Sequence, residues 1–459
     1  MNITLIQPVT DGTDIEPPKS LACLAAYLDR AGHNVRLIDL QIESIHENWE
    51  SIFSSEPIDL VGFTAMTPQI KGVHEIAQKV RTLKPDIPII IGGVHASVLP
   101  EQTLQDFPAF DICVIGEGEQ TLLELVSRYE RNEPMAHDSV LGIAFHTDEK
   151  NIITPPRPRL RDLDSLPNHH QYYDFDYYLN HNTLGFVDKS ASLIISRGCP
   201  YNCQFCATRN FWTNRYVCKS VDGALDEIRN VMRLGAKGIK FRDSTFVINK
   251  KWVREFCDKI IAEKLKFPWS MNARVDLVDY DLFKQMKEAG LVSVFLGAES
   301  GSQRILDFYG KGITPKQTED AFEICRKLKI RTGAYWMLGA LPETREDMEA
   351  TYQLGTKIKA DQNFVFIFMP LPGAELYQYY LDQGCELEYD KIGWDKAVFS
   401  SAAGFSREEL EAMRDKWYDD FNKKPHILIR GMNLILSIRS KEDFKDLWGK
   451  IARRLSIRS

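Results

Sequence analysis

Three cysteines that could hold a metal centre stand close together, at Cys199, Cys203 and Cys206 in the segment SRGCPYNCQFCATRNFW. Closely spaced thiolates select zinc or an iron–sulfur cluster. A structural zinc site takes four ligands, and no fourth Cys or His lies in this loop. Gly198 and Pro200 favour a loop over a buried helix stripe. The spacing therefore favours a four-iron cluster with one iron open to an exogenous ligand; zinc and plain core cysteines are the alternatives.

The elements that must position this loop alternate between strands and helices. The cysteines follow a predicted strand at 191–196, and five further strands are predicted at 238–242, 268–272, 292–297, 333–338 and 363–368. Amphipathic helices fit between them, at 221–234, 250–263, 280–289, 316–329 and 345–358. Six βα units are compatible with a partial barrel or with a second open sheet.

The front of the chain shows the same alternation. Apolar strands are predicted at 3–9, 35–40 and 59–65, and strands that lead into loops at 88–96 and 111–119, with helices at 20–31, 72–84 and 121–129. This order predicts a doubly wound parallel sheet of the Rossmann-like type. Ligands of such sheets bind at the carboxyl ends of the strands, which here are Pro8–Asp14, Thr64–Pro68, Gly92–Ala96 and Gly116–Glu119.

Length and composition bound these predictions. The 459 residues are 44% hydrophobic and 26% charged, which is ordinary for a soluble globular protein. We find neither a signal peptide nor a membrane-spanning run, and we expect a cytoplasmic protein without disulfides. A net charge of −7 disfavours nucleic acid as a partner. Four regions are expected: an α/β domain at 1–150, a linker at 151–190, a βα barrel at 191–400 and a helical region at 401–459.

The cysteine segment resembles the CxxxCxxC signature of the radical SAM superfamily. Three later segments are similar to strand ends of that superfamily, KFRDSTFVIN (240–249), NARVDLVD (272–279) and FLGAESGSQRIL (295–306). The resemblance implies a partial (βα)6 barrel with a [4Fe-4S] cluster that binds S-adenosylmethionine (SAM) and generates a 5′-deoxyadenosyl radical. It also implies SAM contacts from Phe205, Asp243, Ser244, Arg274 and Glu299. For a carboxylate or arginine at a strand end, a loop cap or surface pair is the alternative.

The front domain resembles the cobalamin-binding domain fused ahead of some radical SAM barrels, as in class B methyltransferases and the anaerobic Mg-protoporphyrin cyclase. The matching segments are 17–40, 92–104 and 116–125. The resemblance implies cobalamin contacts from Thr64, Gly92, Gly93, His95, Gly116, Glu117, Gly118 and Glu119. None of the ten histidines lies in the D-x-H-x-x-G motif that supplies a lower cobalt ligand in many such domains. The alternative is a domain that only docks a substrate or partner.

The chain ends in a basic stretch. Residues 423–459 contain ten Lys/Arg and three Asp/Glu, a charge of +7. Phe444, Leu447, Trp448, Ile451 and Leu455 are spaced as one helix face. Such a helix can pack on the protein or make peripheral contact with an anionic membrane.

These resemblances predict a cobalamin-dependent radical SAM enzyme that methylates an unactivated carbon of a small-molecule or lipid substrate. Its electron donor would be flavodoxin or ferredoxin. Oxidative cyclisation or ring rearrangement without methyl transfer is the alternative, and a tRNA methylthiotransferase or a non-enzymatic iron–sulfur protein is less favoured. The substrate cavity is expected to include Phe211, Trp212, Arg215 and Tyr216. No catalytic residue beyond the cofactor ligands can be named.

Overall fold

The computed structural model describes residues 1–10, 15–131, 139–147, 149–181, 187, 189–385, 393, 396–399 and 404–422. The strands of the first sheet are Asn2–Gln7 (β1), Asn34–Asp39 (β2), Leu60–Thr64 (β3), Ile89–Gly92 (β4), Ile112–Val114 (β5), Ile143–His146 (β6) and Asn151–Ile153 (β7). Its helices are Lys19–Arg30 (α1), Glu43–Ser54 (α2), Ile70–Leu83 (α3), Gly93–Val98 (α4), Pro100–Asp106 (α5) and Glu119–Glu130 (α6).

The strand order of this sheet is β2-β1-β3-β4-β5-β6-β7. Strands β1 to β5 pair in parallel, with apolar side chains buried on both faces, so the predicted doubly wound sheet is confirmed. Strands β6 and β7 add an antiparallel edge that the sequence did not predict. Residues 151–153, predicted as the start of the linker, form the last of these strands.

Along the chain, the helix Phe175–His181 (α7) lies between the strands of the two sheets. The second sheet contains Ser190–Leu193 (β8), Gly238–Phe241 (β11), Trp269–Arg274 (β12), Leu291–Glu299 (β13), Arg331–Leu338 (β14) and Gln362–Ile367 (β15). A separate short ribbon pairs Ser196–Arg197 (β9) with Val217–Cys218 (β10). The helices are Thr208–Trp212 (α8), Val221–Arg233 (α9), Lys250–Ala262 (α10), Tyr280–Glu288 (α11), Gln303–Phe308 (α12), Pro315–Lys327 (α13), Arg345–Ile358 (α14), Glu375–Asp382 (α15) and Arg407–Asn422 (α16).

The six strands of the second sheet are all parallel and stand in chain order, from β8 at one edge to β15 at the other. Each successive strand is added on the same side of the previous one, as in a barrel. In a doubly wound sheet, the side on which strands are added changes partway through the chain. The partial (βα)6 barrel is therefore the correct one of the two predicted alternatives. Alternate residues such as Ile239, Leu296 and Trp336 pack in the large core of this domain.

Helix α16 packs against β15 at the edge of the barrel, where the Phe421 ring lies over Gly355. The basic stretch 423–459, with its predicted amphipathic helix, lies outside the described residues. Within the part of the chain that is described, no helix is both long and apolar enough to cross a membrane.

Candidate functional site

The loop of the cluster cysteines begins at a glycine that no other residue can replace easily. Gly198 follows β9 with a φ of +87°, and a Cβ there would overlap the carbonyl oxygen of Arg215. The positive φ and this close approach together require glycine. The chain is thereby turned toward Cys199.

The middle of the cysteine loop is held by two distant parts of the barrel. The Gln204 N–H donates to the Tyr309 carbonyl at 2.9 Å, and the Gln204 carbonyl accepts from the Leu376 N–H at 3.0 Å. Tyr309 follows α12, and Leu376 lies in α15. The loop is thus positioned by segments that follow β13 and β15.

The three thiols are half-buried. In the described part of the chain, the one group of three or more His, Cys, Asp or Glu ligand atoms that all lie within 4.8 Å of each other is His169, His170 and Glu227. At least one pair of the cysteine sulfurs is therefore farther apart than 4.8 Å, whereas sulfurs on one tetrahedral zinc ion lie about 3.8 Å apart. The three thiols are thus not preset for a single zinc ion.

Two cations lie beside Cys203. Arg274, at the end of β12, donates from Nη1 to Cys203 Sγ at 3.3 Å and from Nη2 to the Lys311 carbonyl at 2.6 Å. Burial raises the pKa of the Cys203 thiol, while Lys311 and then Arg274 act in the opposite direction. These cations favour the thiolate, the form that ligates a metal.

Glu299 and Phe205, both predicted to contact SAM, lie next to the same lysine. The Lys311 ammonium is 2.6 Å from Glu299 Oε1 and 5.6 Å from the centre of the Phe205 ring. Glu299 ends β13 with a φ of +62°, where the sheet register shifts. The structure therefore brings Phe205, Arg274 and Glu299 together at the mouth of the barrel, beside the cysteines.

Asp243 and Ser244 follow β11 and differ in burial. Asp243 Oδ1 accepts hydrogen bonds from the backbone N–H groups of Ile195 and Ser196 and from the Ser196 hydroxyl, and its side chain is buried. Burial raises its pKa to about 6 despite these bonds. Asp243 thus supports the base of the cysteine loop, whereas Ser244 is exposed at the mouth.

The carboxyl edge of the first sheet offers an apolar surface to a ligand. Val9, after β1, and Met66, after β3, are 42% and 47% exposed. At Gly93 a Cβ would come within 2.6 Å of Thr64 Oγ1 and 2.8 Å of the Ala65 carbonyl, so the chain passes very close there. Thr64, Gly92 and Gly93 help to form this edge, the side of a parallel sheet at which ligands bind.

His95 lies behind this edge. Its ring is fully buried in α4, 3.3 Å from Thr67 Oγ1 and edge-on to Phe107. Burial lowers its pKa to about 4. Because the ring is buried, it cannot reach a ligand on the surface. Only the backbone of His95 could make the predicted contact with cobalamin.

The residues 116–119, here called the glycine loop, carry the other predicted cobalamin contacts. Gly116 and Gly118 lie at the strand end, but the acidic side chains turn toward the barrel: Glu117 and Glu119 both pair with Arg197 at 2.6 Å. Glu117 also accepts from the Leu160 N–H at 2.9 Å. Sequence reasoning missed Arg197; its one signal was a cation directly before Gly198 and Cys199.

The segment expected to line the substrate cavity also contacts the linker near this contact between domains. The Arg159 guanidinium lies 4.6 Å from the centre of the Trp212 ring and 5.7 Å from that of Phe211. Arg215 supplies the carbonyl beside Gly198, and Tyr216 contacts the Cys218 thiol. At least part of this segment therefore packs against the linker.

Comparisons with known proteins match both halves of the chain. The B12 binding domain family matches residues 10–126, and the Radical SAM superfamily matches residues 193–355. The chain is 30% identical to an uncharacterized methyltransferase of Pyrococcus horikoshii over 94% of each chain. It is also 30% identical to the anaerobic magnesium-protoporphyrin IX monomethyl ester cyclase of Cereibacter sphaeroides, over 89% of this chain and 67% of that one.

Solved structures share the fold. The radical SAM methyltransferase TsrM of Kitasatospora setae, solved with cobalamin and a [4Fe-4S] cluster, superposes with a TM-score of 0.73. The two chains are 18% identical, and the match covers 90% of this chain and 81% of that one. A similar arrangement of two domains thus holds these cofactors in another protein.

Proposed function

This chain belongs to the cobalamin-binding radical SAM enzymes, and on that basis we propose that it methylates an unactivated carbon of a small-molecule or lipid substrate. Cys199, Cys203 and Cys206 would hold a [4Fe-4S] cluster, with SAM on its open iron. The observation that supports this most strongly is the convergence of three half-buried thiols, Arg274 and the Lys311–Glu299 pair at the barrel mouth. When bound, the cluster and SAM supply a carbon radical, and cobalamin supplies the methyl group.

The cations of the site are proposed to balance the thiolates. Arg274 is fixed by Asp276 and stacks on Tyr201, with 3.9 Å between the guanidinium and the ring centre. Its charge therefore stays next to Cys203 while the cluster gains or loses an electron. The electron would come from a donor such as flavodoxin or ferredoxin.

The remaining polar groups at the mouth are proposed to orient SAM. Glu299, Phe205 and Ser244 would offer SAM a carboxylate, a ring and a hydroxyl, while Asp243 holds the base of the cysteine loop. On the facing domain, Thr64, Gly92, Gly93 and residues 116–119 would hold cobalamin. Their small side chains permit close backbone approach.

The test is Cys203→Ala in anaerobically purified protein given iron, sulfide, SAM and hydroxocobalamin. We expect the variant to lack the visible absorbance of the cluster. We also expect it to form no 5′-deoxyadenosine when a reductant is added. Cys218→Ala is the matched control, because Cys218 is also half-buried but lies outside the trio. Retention of deoxyadenosine release in Cys203→Ala would refute the assignment.

A second candidate is oxidative cyclisation without methyl transfer, which the similarity to the magnesium-protoporphyrin cyclase favours. Methyl-labelled SAM separates the two, with a small-molecule extract of the source cells as substrate. Label that enters a product supports methylation. A new product without label supports cyclisation or rearrangement.

A further inference from the structure

We infer that Arg197 is a positioning residue that fixes the cysteine loop relative to the glycine loop of the other domain. Arg197 lies two residues before Cys199. Its Nη1 is 2.6 Å from Glu117 Oε1, and its Nη2 is 2.6 Å from Glu119 Oε1. This inference rests on the proposed function, because it concerns the separation of the two cofactor sites.

The geometry of this contact allows little movement. A guanidinium is planar, so two hydrogen bonds from its two nitrogens fix both its position and its orientation. The side chains of Arg197, Glu117 and Glu119 are 19%, 9% and 5% exposed, so water competes weakly for these bonds. A guanidinium stays protonated at physiological pH, so both ion pairs keep their charge.

Both ends of the contact are held by backbone. On one side, Glu119 begins α6, Glu117 accepts from the Leu160 N–H, and the Gly116 N–H donates to Ser97 Oγ. On the other side, Arg197 pairs with Val217 in the ribbon, and only Gly198 separates it from the first cluster cysteine.

This rigidity matters because two reacting groups must be held at a fixed distance. Misplacement of reactants by about 1 Å can lower a rate about 100-fold. The glycine loop would carry one cofactor and the cysteine loop the other, so their separation depends on the Arg197 contacts. Arg197 is not itself among the residues proposed to hold either cofactor; it acts through the two loops that it joins.

The test uses full-length protein loaded with a reduced [4Fe-4S] cluster and cob(II)alamin, which are both paramagnetic. Their magnetic interaction in the electron paramagnetic resonance spectrum reports their separation and requires no substrate. We expect a defined interaction in the unmodified protein and a weakened, broadened one in Arg197→Gln. Arg197→Lys should be intermediate, because an ammonium cannot bridge both carboxylates in one plane.

Arg81→Gln is the matched control. Arg81 Nη2 likewise donates to two carboxylate oxygens, both of Asp111, at 2.8 and 2.7 Å, but both residues lie in the first domain. Its spectrum should be unchanged. If Arg197→Gln does not retain both cofactors, the measurement is made on the double variant Glu117→Gln/Glu119→Gln instead. This variant leaves the cysteine loop unchanged.

An interaction that is identical in Arg197→Gln and the unmodified protein, or undetectable in the unmodified protein with both cofactors bound, would overturn the inference. An unmodified protein that binds no cobalamin would instead refute the proposed function.

Discussion

Single residues decide the shape of the cysteine loop more than its sequence spacing does. Arg274 places a positive charge at Cys203, and Asp243 ties the loop base to β11. Gly198, with its positive φ, turns the chain from β9 into the cysteine loop. Each of these residues acts through one identifiable contact, so each can be tested alone.

Gly198→Ala should prevent formation of the cluster. A positive φ costs a non-glycine residue about 1–2 kcal/mol, and here the new Cβ also overlaps the Arg215 carbonyl. We expect iron content after anaerobic reconstitution to fall severalfold and the urea midpoint to fall as well.

Gly32→Ala is the control for this substitution, since Gly32 has a φ of +92° but has nothing within 4 Å of its Cβ position. It should lose only about 1–2 kcal/mol of unfolding free energy and keep its iron. Equal iron loss in both variants would show that the overlap at Gly198 is unimportant.

At the scale of elements, the loop that joins β14 to α14 contains a carboxyl group in an unusual state. Glu343 is fully buried, and its Oε2 accepts from the N–H groups of Gly339 and Ala340. Burial raises its pKa from 4.5 to about 8. At neutral pH this carboxyl is therefore mostly protonated.

Glu343→Gln should remove a pH dependence of stability. Because the folded state holds this proton more tightly than the unfolded state, the contribution of Glu343 to stability falls as pH rises from about 4.5 to about 8, and is constant above that. Glutamine keeps the acceptor oxygen without ionising. We expect the variant to gain stability relative to the unmodified protein between pH 6 and 9, by roughly 1 kcal/mol or more.

Urea unfolding at a series of pH values measures this. Glu323→Gln, an exposed position in α13, should leave the profile unchanged. Parallel pH profiles for Glu343→Gln and the unmodified protein would contradict the raised pKa.

The elements were predictable from sequence to the extent that local pattern encodes them. All six barrel strands and the five parallel strands of the front sheet lie where alternating apolar runs and glycine stops indicated. In the front domain, helices α2, α4 and α5 and the antiparallel pair β6–β7 were not predicted. Strands β6 and β7 have only four and three residues, too few to show an alternating pattern. The Arg197 contacts could not be predicted, because they join residues about 80 positions apart and depend on how the domains dock.

At the scale of the whole molecule, a second charged group joins the domains. Glu16, in the loop that follows β1, pairs with Lys19 at 2.6 Å, with Arg242 on the end of β11 and with Lys240 at 3.8 Å, and it accepts from the Ser192 hydroxyl. Burial alone would raise its pKa, but these cations hold it well below its usual range. The front domain thus inserts one carboxylate among cations of the barrel.

Glu16→Gln should weaken this docking. It leaves Lys240 and Arg242 with less countercharge in a partly buried site, which we expect to cost about 2 kcal/mol. Calorimetry should then show the two domains unfolding at more separate temperatures. Glu50→Gln, which removes an exposed pair with Lys79, should shift neither transition; an equal effect of both would contradict the role of Glu16.

The anchoring of Gln204 between Tyr309 and Leu376 also sets an order of events during synthesis. The cysteines leave the ribosome well before either anchor has been translated. Until those later segments emerge and fold, the loop lacks both backbone bonds that define its shape. If the cysteines bind the proposed cluster, we therefore expect it to enter the finished chain and not the nascent one.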